Sequence, residues 1–229
     1  MKILITSGGT IEKIDSVRGI TNHSSGQTGK EIAQLFLDHG HEVTLVTTSS
    51  AVKPELHPHL SMTIISNVAE LAACLEPLVK EHDCFIHAMA VSDYTPVYMT
   101  DMEELLATSN PLDLLEKRNG ESKISSQSDY QVLFLKKTPK IISLVKQWNP
   151  AIQLIGFKLL VNVSEDELIS VARDSLEYNK ASAIITNDLN NISKDRHQAF
   201  LVTSDKAEKL ESNQQIAQAI FERVTSYDK

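Results

Sequence analysis

Cysteines, aromatic residues and long apolar runs are all in short supply in this chain of 229 residues. The two cysteines, Cys74 and Cys84, match neither C-x-x-C nor a zinc-ligand spacing. That excludes a disulfide-stapled secreted scaffold and leaves two buried free thiols in a reducing compartment. No stretch approaches the roughly 18 apolar residues of a membrane span. Past the short run at Ile3 to Ile5, nothing near the N-terminus resembles a signal peptide, so a cytoplasmic location is expected. Positive charge is lacking too: 22 Lys and Arg stand against 30 Asp and Glu, a net charge of −8. Nucleic acid and anionic lipid both require clustered cations, and neither is expected as a partner. With 41% hydrophobic residues and no internal repeat, the chain can bury one substantial core, which implies a single domain over residues 1–229.

What is present is concentrated in Lys2 to Gly29. An apolar strand breaks into Ser7-Gly8-Gly9-Thr10, and a second small-residue cluster, Ser24-Ser25-Gly26, precedes an amphipathic helix. Gly8, Gly9, Ser25 and Gly26 thus face one strand end. Backbone amides and the positive end of a helix dipole converge there, which is the make-up of a phosphate cradle. The spacing is neither G-x-G-x-x-G nor G-x-x-x-x-G-K-[ST].

The chain then alternates. Strands are expected at Glu42 to Thr47, around Met62 to Ile65 and at Cys84 to His87, with helices after Gly29 and from Asn67 to about Lys80. Further strands are expected at Ile152 to Phe157 and Ala183 to Asp188, with a capping box at Ser164 and Glu167 opening a helix between them. A strand of open direction at Ala199 to Thr203 and a helix from Ser212 to Ser226 follow. This is an α/β, doubly wound, mostly parallel, Rossmann-like pattern, whose ligands bind beyond the carboxyl ends of the strands. Residues at about 95–135 interrupt it as an inserted flap, with helical spacing over Asp101 to Leu115 and a hairpin of Ser122 to Ser125 with Gln131 to Leu135. Lys137-Thr138-Pro139 opens a helix at Thr138 with Pro139 at its first position. The small residues Ala88-Met89-Ala90 after a buried strand would let a flat ring lie on the backbone, and Asp93 either reaches a sugar or caps a turn. Phe157 reads as a core residue, and the eight histidines as scattered loop residues.

The ordered series T-S-G-G-T, E-K-I-D-S-V-R, I-T-N-H-S-S-G, A-M-A-V-S-D-Y and G-F resembles the phosphopantothenate–cysteine ligase family. The resemblance implies a stand-alone ligase of coenzyme A biosynthesis that joins 4'-phosphopantothenate to cysteine. CTP would activate the carboxylate as an acyl-cytidylate, releasing pyrophosphate and later CMP. Mg2+ would bridge the phosphates, with no protein metal ligands assigned. The nucleotide would meet Gly8, Gly9, Ser25, Gly26, Ala88, Met89, Ala90, Asp93, Lys123, Lys137, Thr138, Pro139, Phe157 and Lys180. The acid substrate would meet Arg18, Asn22, His23 and Ser24, and the catalytic groups would be Asn22 and Lys123. Family members are homodimers whose flap contributes across the interface. Four positions depart from the family pattern: Ser125, Ser126, Lys140 and Leu160.

The chemistry suits Asn22, whose neutral amide can donate to an acyl oxygen as charge develops. An Asn in a left-handed turn is the competing reading. Asp15 reads as the partner of Arg18 in a loop-internal ion pair, and Arg18 as that partner or as a phosphate ligand. Two other classes fit a doubly wound sheet: an NAD(P)- or flavin-dependent oxidoreductase, which would want the missing G-x-G-x-x-G, and a non-catalytic nucleotide-binding subunit. The choice between CTP and ATP rests on backbone geometry at Ala88 to Ala90 and Phe157.

Overall fold

A computed structural model describes residues 1–192 and 197–226. In chain order the first half contains β1 (Lys2–Ser7), β2 (Ile11–Lys13), β3 (Gly19–Thr21), α1 (Gln27–Asp38), β4 (Glu42–Thr47), β5 (Leu60–Ile64), α2 (Val68–Glu81) and β6 (Cys84–His87). The second half contains β7 (Tyr94–Asp101), α3 (Met102–Ala107), β8 (Gln131–Lys137), α4 (Ile141–Trp148), β9 (Gln153–Leu160), α5 (Glu165–Asn179), β10 (Ala183–Asp188), β11 (Ala199–Val202), β12 (Ala207–Leu210) and α6 (Asn213–Thr225).

Eight strands form one sheet in the order β12-β11-β10-β9-β6-β1-β4-β5. The six from β10 to β5 run parallel, and β11 and β12 add antiparallel to one edge. The doubly wound expectation holds, because apolar residues line both faces of the central strands. Ile3 and Ile5 of β1 pack with Ile32, Phe36, Ile216 and Ile220 of α1 and α6. Leu4 belongs to the opposite layer, with Leu71 and Leu75 of α2, Val145 of α4 and Leu168 of α5. The strand order reverses direction between β1 and β6, so a crevice opens beyond their carboxyl ends.

Outside the sheet, four expectations change. The polar stretch after β1 contains a short antiparallel hairpin, β2 with β3. The inserted flap is a two-stranded ribbon of β7 with β8, and Ser122 to Ser125 is not one of its strands. The helical spacing of Asp101 to Leu115 is cut after Ala107, because Pro111 has no N–H to continue a helix and Asn110 caps a new 3-10 turn at Pro111–Glu116. Likewise α4 starts at Ile141 with Lys140 at the N-cap. Thr138 and Pro139 lie outside it because the Thr138 hydroxyl is engaged elsewhere, donating to the Ser92 carbonyl at 2.6 Å. The caps at Asn67 and Ser164 are as expected, each accepting from the N–H three residues on. Among the described residues no helix is long and apolar enough to cross a membrane.

Candidate active site

The loops that leave β1 and β6 are stitched together before the crevice opens. Ala90 N–H donates to the Gly8 carbonyl at 2.9 Å and Thr10 N–H to the Ala90 carbonyl at 3.0 Å, so Gly9 and Ala90 pair as a parallel bridge. Gly8 and Gly26 both have positive φ, 89° and 78°. A Cβ on Gly8 would sit 2.8 Å from Ala51 Cβ, and one on Gly26 2.9 Å from the same atom. Glycine is therefore required here for backbone conformation and for close approach at once. The Ser7 hydroxyl donates to the Gly26 carbonyl, and the Lys53 ammonium donates to the carbonyls of Thr48, Ser49 and Ala51, pinning the loop that covers these glycines. The first turn of α1 starts at Gly26 with no side-chain cap, so its dipole end can attract an anion.

Asn22 follows directly on β3. Its side-chain amide donates to the Val91 carbonyl at 3.3 Å, and its own carbonyl lies against Gly9. Its φ is not positive, so the left-handed-turn reading is corrected. His23, Ser24 and Ser25 come next, all exposed.

On the β6 side, Ala88 and Ala90 are half-buried, whereas the Met89 side chain is buried in the core and offers only its backbone. Asp93 is exposed and ion-paired at 2.6 Å with Lys140. Thr138 N–H donates to the Asp93 carbonyl, which brings exposed Lys137 and Pro139 to the same rim. Gly156 of β9 is in register with His87, so Phe157 stands one residue beyond the end of β6. Its ring is half-buried against the α1 and α6 layer.

Three assigned residues lie away from this mouth. Arg18 is at the far end of the β2–β3 hairpin, bonded to Asp15 and to the Ile124 carbonyl. Exposed Lys123 is the neighbour of Ile124. Four residues of nearly extended chain separate Arg18 from Asn22, about 13 Å. Lys180 ends α5 just before β10 begins, so it sits at the amino edge of the sheet, the length of β10 or about 20 Å from the carboxyl edge. A helix that returns to start a parallel strand must end at the opposite edge from the mouth.

Sequence reasoning missed several residues that shape the mouth. Thr10 and Ser92 exchange two hydrogen bonds, and the Thr21 hydroxyl donates to the Thr10 carbonyl. Hydroxyls in small-residue loops carry no periodic signal. His87 is buried at the end of β6, sharing a 2.7 Å hydrogen bond with Thr6, which corrects the expectation that the histidines are all scattered loop residues. Among the described residues there is no cluster of three His, Cys, Asp or Glu suited to hold a metal.

Comparison with known proteins agrees with this architecture. The family model described as DNA/pantothenate metabolism flavoprotein C-terminal domain matches residues 1–104 and 99–227. The coenzyme A biosynthesis bifunctional protein CoaBC of Thermococcus kodakarensis is 32% identical over 225 residues, covering 97% of this chain and 50% of that protein. The chain thus spans about half the length of such relatives. A crystal structure of a DNA/pantothenate metabolism flavoprotein from Streptococcus pneumoniae superposes with a TM-score of 0.94 at 54% identity, covering 99% of both chains. A Cab2 variant in complex with phosphopantothenate-cysteine shares the fold, with a TM-score of 0.72 at 17% identity over 99% of this chain and 87% of that one. With a sheet that reverses between β1 and β6 and a family model that matches both halves of the sequence, the chain belongs to the DNA/pantothenate metabolism flavoprotein C-terminal domain family.

Proposed function

We propose that this chain is a phosphopantothenate–cysteine ligase that uses CTP. The observation that carries the reading is the position of the Asn22 amide at the switch-point mouth, 3.3 Å from the Val91 carbonyl and beside the Gly9–Ala90 bridge. A bond that long is weak, and a substrate oxygen can replace the carbonyl. The carboxylate of phosphopantothenate attacks the α-phosphorus of CTP and pyrophosphate leaves. The amine of cysteine then attacks the acyl carbon, CMP leaves with the bonding electrons, and the amine gives up a proton. Asn22 donates to the acyl oxygen while it carries developing charge. The half-buried small residues Ala88 and Ala90 take the flat face of the base, and Lys137 and Lys140 flank the phosphates. Mg2+, when bound, would be held mainly by those phosphates and would offset their charge, while Asp93 at the rim would meet the sugar of the nucleotide. The relatives' names and the ligand of the Cab2 complex support this substrate class.

The site works in a homodimer on this reading, because exposed apolar residues of the inserted segment from β7 to β8 (Tyr94, Leu106, Leu112, Tyr130) call for a cover. The two unpaired thiols suit a reducing cytoplasm. The oxidoreductase reading gains nothing here: the first turn is built around two positive-φ glycines separated by a hairpin, not around a dinucleotide fingerprint.

Pyrophosphate release should require a nucleotide and phosphopantothenate together, be fastest with CTP, and yield CMP only when cysteine is added. Asn22→Asp should lower turnover by about 100- to 1000-fold. Release without the acid substrate, or full turnover in Asn22→Asp, would overturn the assignment. A subunit that only binds nucleotide would release none.

A further inference from the structure

We infer that Asp15 and Arg18 form a latch that holds the Ser122–Ile124 segment on the tip of the β2–β3 hairpin, making them positioning residues for Lys123. The Asp15 side chain is 1% exposed and Arg18 35% exposed. Asp15 Oδ1 accepts from the N–H groups of Val17 and Arg18, which is all that the turn itself requires. Oδ2 accepts from Arg18 Nε at 3.0 Å and Nη2 at 2.6 Å, and also from the N–H of Ile124 at 3.2 Å, across 109 residues of sequence. Arg18 Nη2 donates in addition to the Ile124 carbonyl at 3.0 Å. Both backbone polar groups of Ile124 are thus taken by one ion pair, and Ser16 N–H adds a bond to the Ser122 carbonyl.

The turn has no need of these last three bonds, so their consequence lies in the other segment. Ile124 is buried and its neighbour Lys123 is exposed, so the latch seats an apolar anchor and leaves the ammonium projecting at a defined place. The Arg18 guanidinium keeps the Asp15 carboxyl well below the usual carboxylate range. Lysine in place of arginine could not serve, because the fork must reach a carboxylate and a carbonyl together. The inference rests on the reading of Lys123 as a working group of the ligase.

Two measurements on Asp15→Asn, repeated on Arg18→Lys in case the first variant disturbs the hairpin, test it. Amide exchange at Ser122 to Ile124 should accelerate at least about tenfold while the β1 and β6 amides are unchanged. Turnover should fall roughly 10- to 100-fold in the wild-type background and show no further fall in a Lys123→Ala background, since a residue that acts through Lys123 has nothing left to position. Unchanged exchange at Ser122 to Ile124, or losses that multiply in the double variant, would overturn the latch. If Lys123→Ala alone were neutral, the working role of Lys123 and the positioning role would fall together. The exchange result would still stand by itself, separating that failure from the absence of a latch.

Discussion

His87 ends β6 with 7% of its surface exposed, and that burial pushes its pKa down to about 4. A free imidazole titrates near 6.5, so as pH falls below that value the unfolded chain takes up a proton that the folded chain refuses. Stability is full above about 6.5 and is lost as pH falls toward 4, by up to about 3 kcal/mol for a shift of this size. His197 is displaced in the same direction by burial and adds to the same window. The urea midpoint should therefore be lower at pH 5 than at pH 7.5, and His87→Gln, which keeps a polar partner for Thr6, should narrow the gap. An equal gap in that variant would show that the imidazole can ionise in place. At this scale the sequence displayed the glycines and Asn22 but not the environment that gives each its use. His87 reads like any other histidine until the fold buries it at the end of β6.

Elements were legible where the signal is local. Asn67 and Ser164 cap α2 and α5 as their sequences announce, since a cap needs only its own next three residues. The start of α4 was not, because Thr138 is drawn into a bond with Ser92, 46 residues away. The turn between β1 and α1 combines both cases. Gly26 looks like a loop glycine, yet its positive φ and its contact with Ala51 come from the fold. Gly26→Ala should destabilise the protein by about 1–3 kcal/mol, read as a lower denaturant midpoint at unchanged slope. A variant as stable as the parent would mean that the Ser49 to Ala51 loop yields easily, and that the mouth is not shaped by it.

For the whole molecule the open matter is the β7–β8 ribbon. Its strands pair with each other and not with the main sheet, and a two-stranded ribbon is marginal unless something packs on it. Leu106 is 77% exposed and Tyr130 75% exposed in this region, an arrangement suited to a second copy of the chain. Light scattering should give twice the 25.4 kDa chain mass. Leu106→Glu combined with Leu112→Glu should shift the protein to monomer and leave unfolding of the main sheet cooperative. A wild-type monomer at micromolar concentration would overturn the dimer.

By itself the sequence determined the doubly wound layout, the glycine-bounded turn after β1 and the family, because apolar periodicity and short ordered motifs are properties of neighbouring residues. The tertiary structure alone decided which assigned residues meet. It gathered Gly9, Asn22, Ala90, Asp93 and Thr138 at one mouth, carried Lys180 to the opposite edge of the sheet, and tied Ile124, the neighbour of Lys123, to Asp15 and Arg18. The reason is geometric: a parallel sheet sorts residues by which end of a strand they adjoin, and that depends on strand order and length, which no local pattern records.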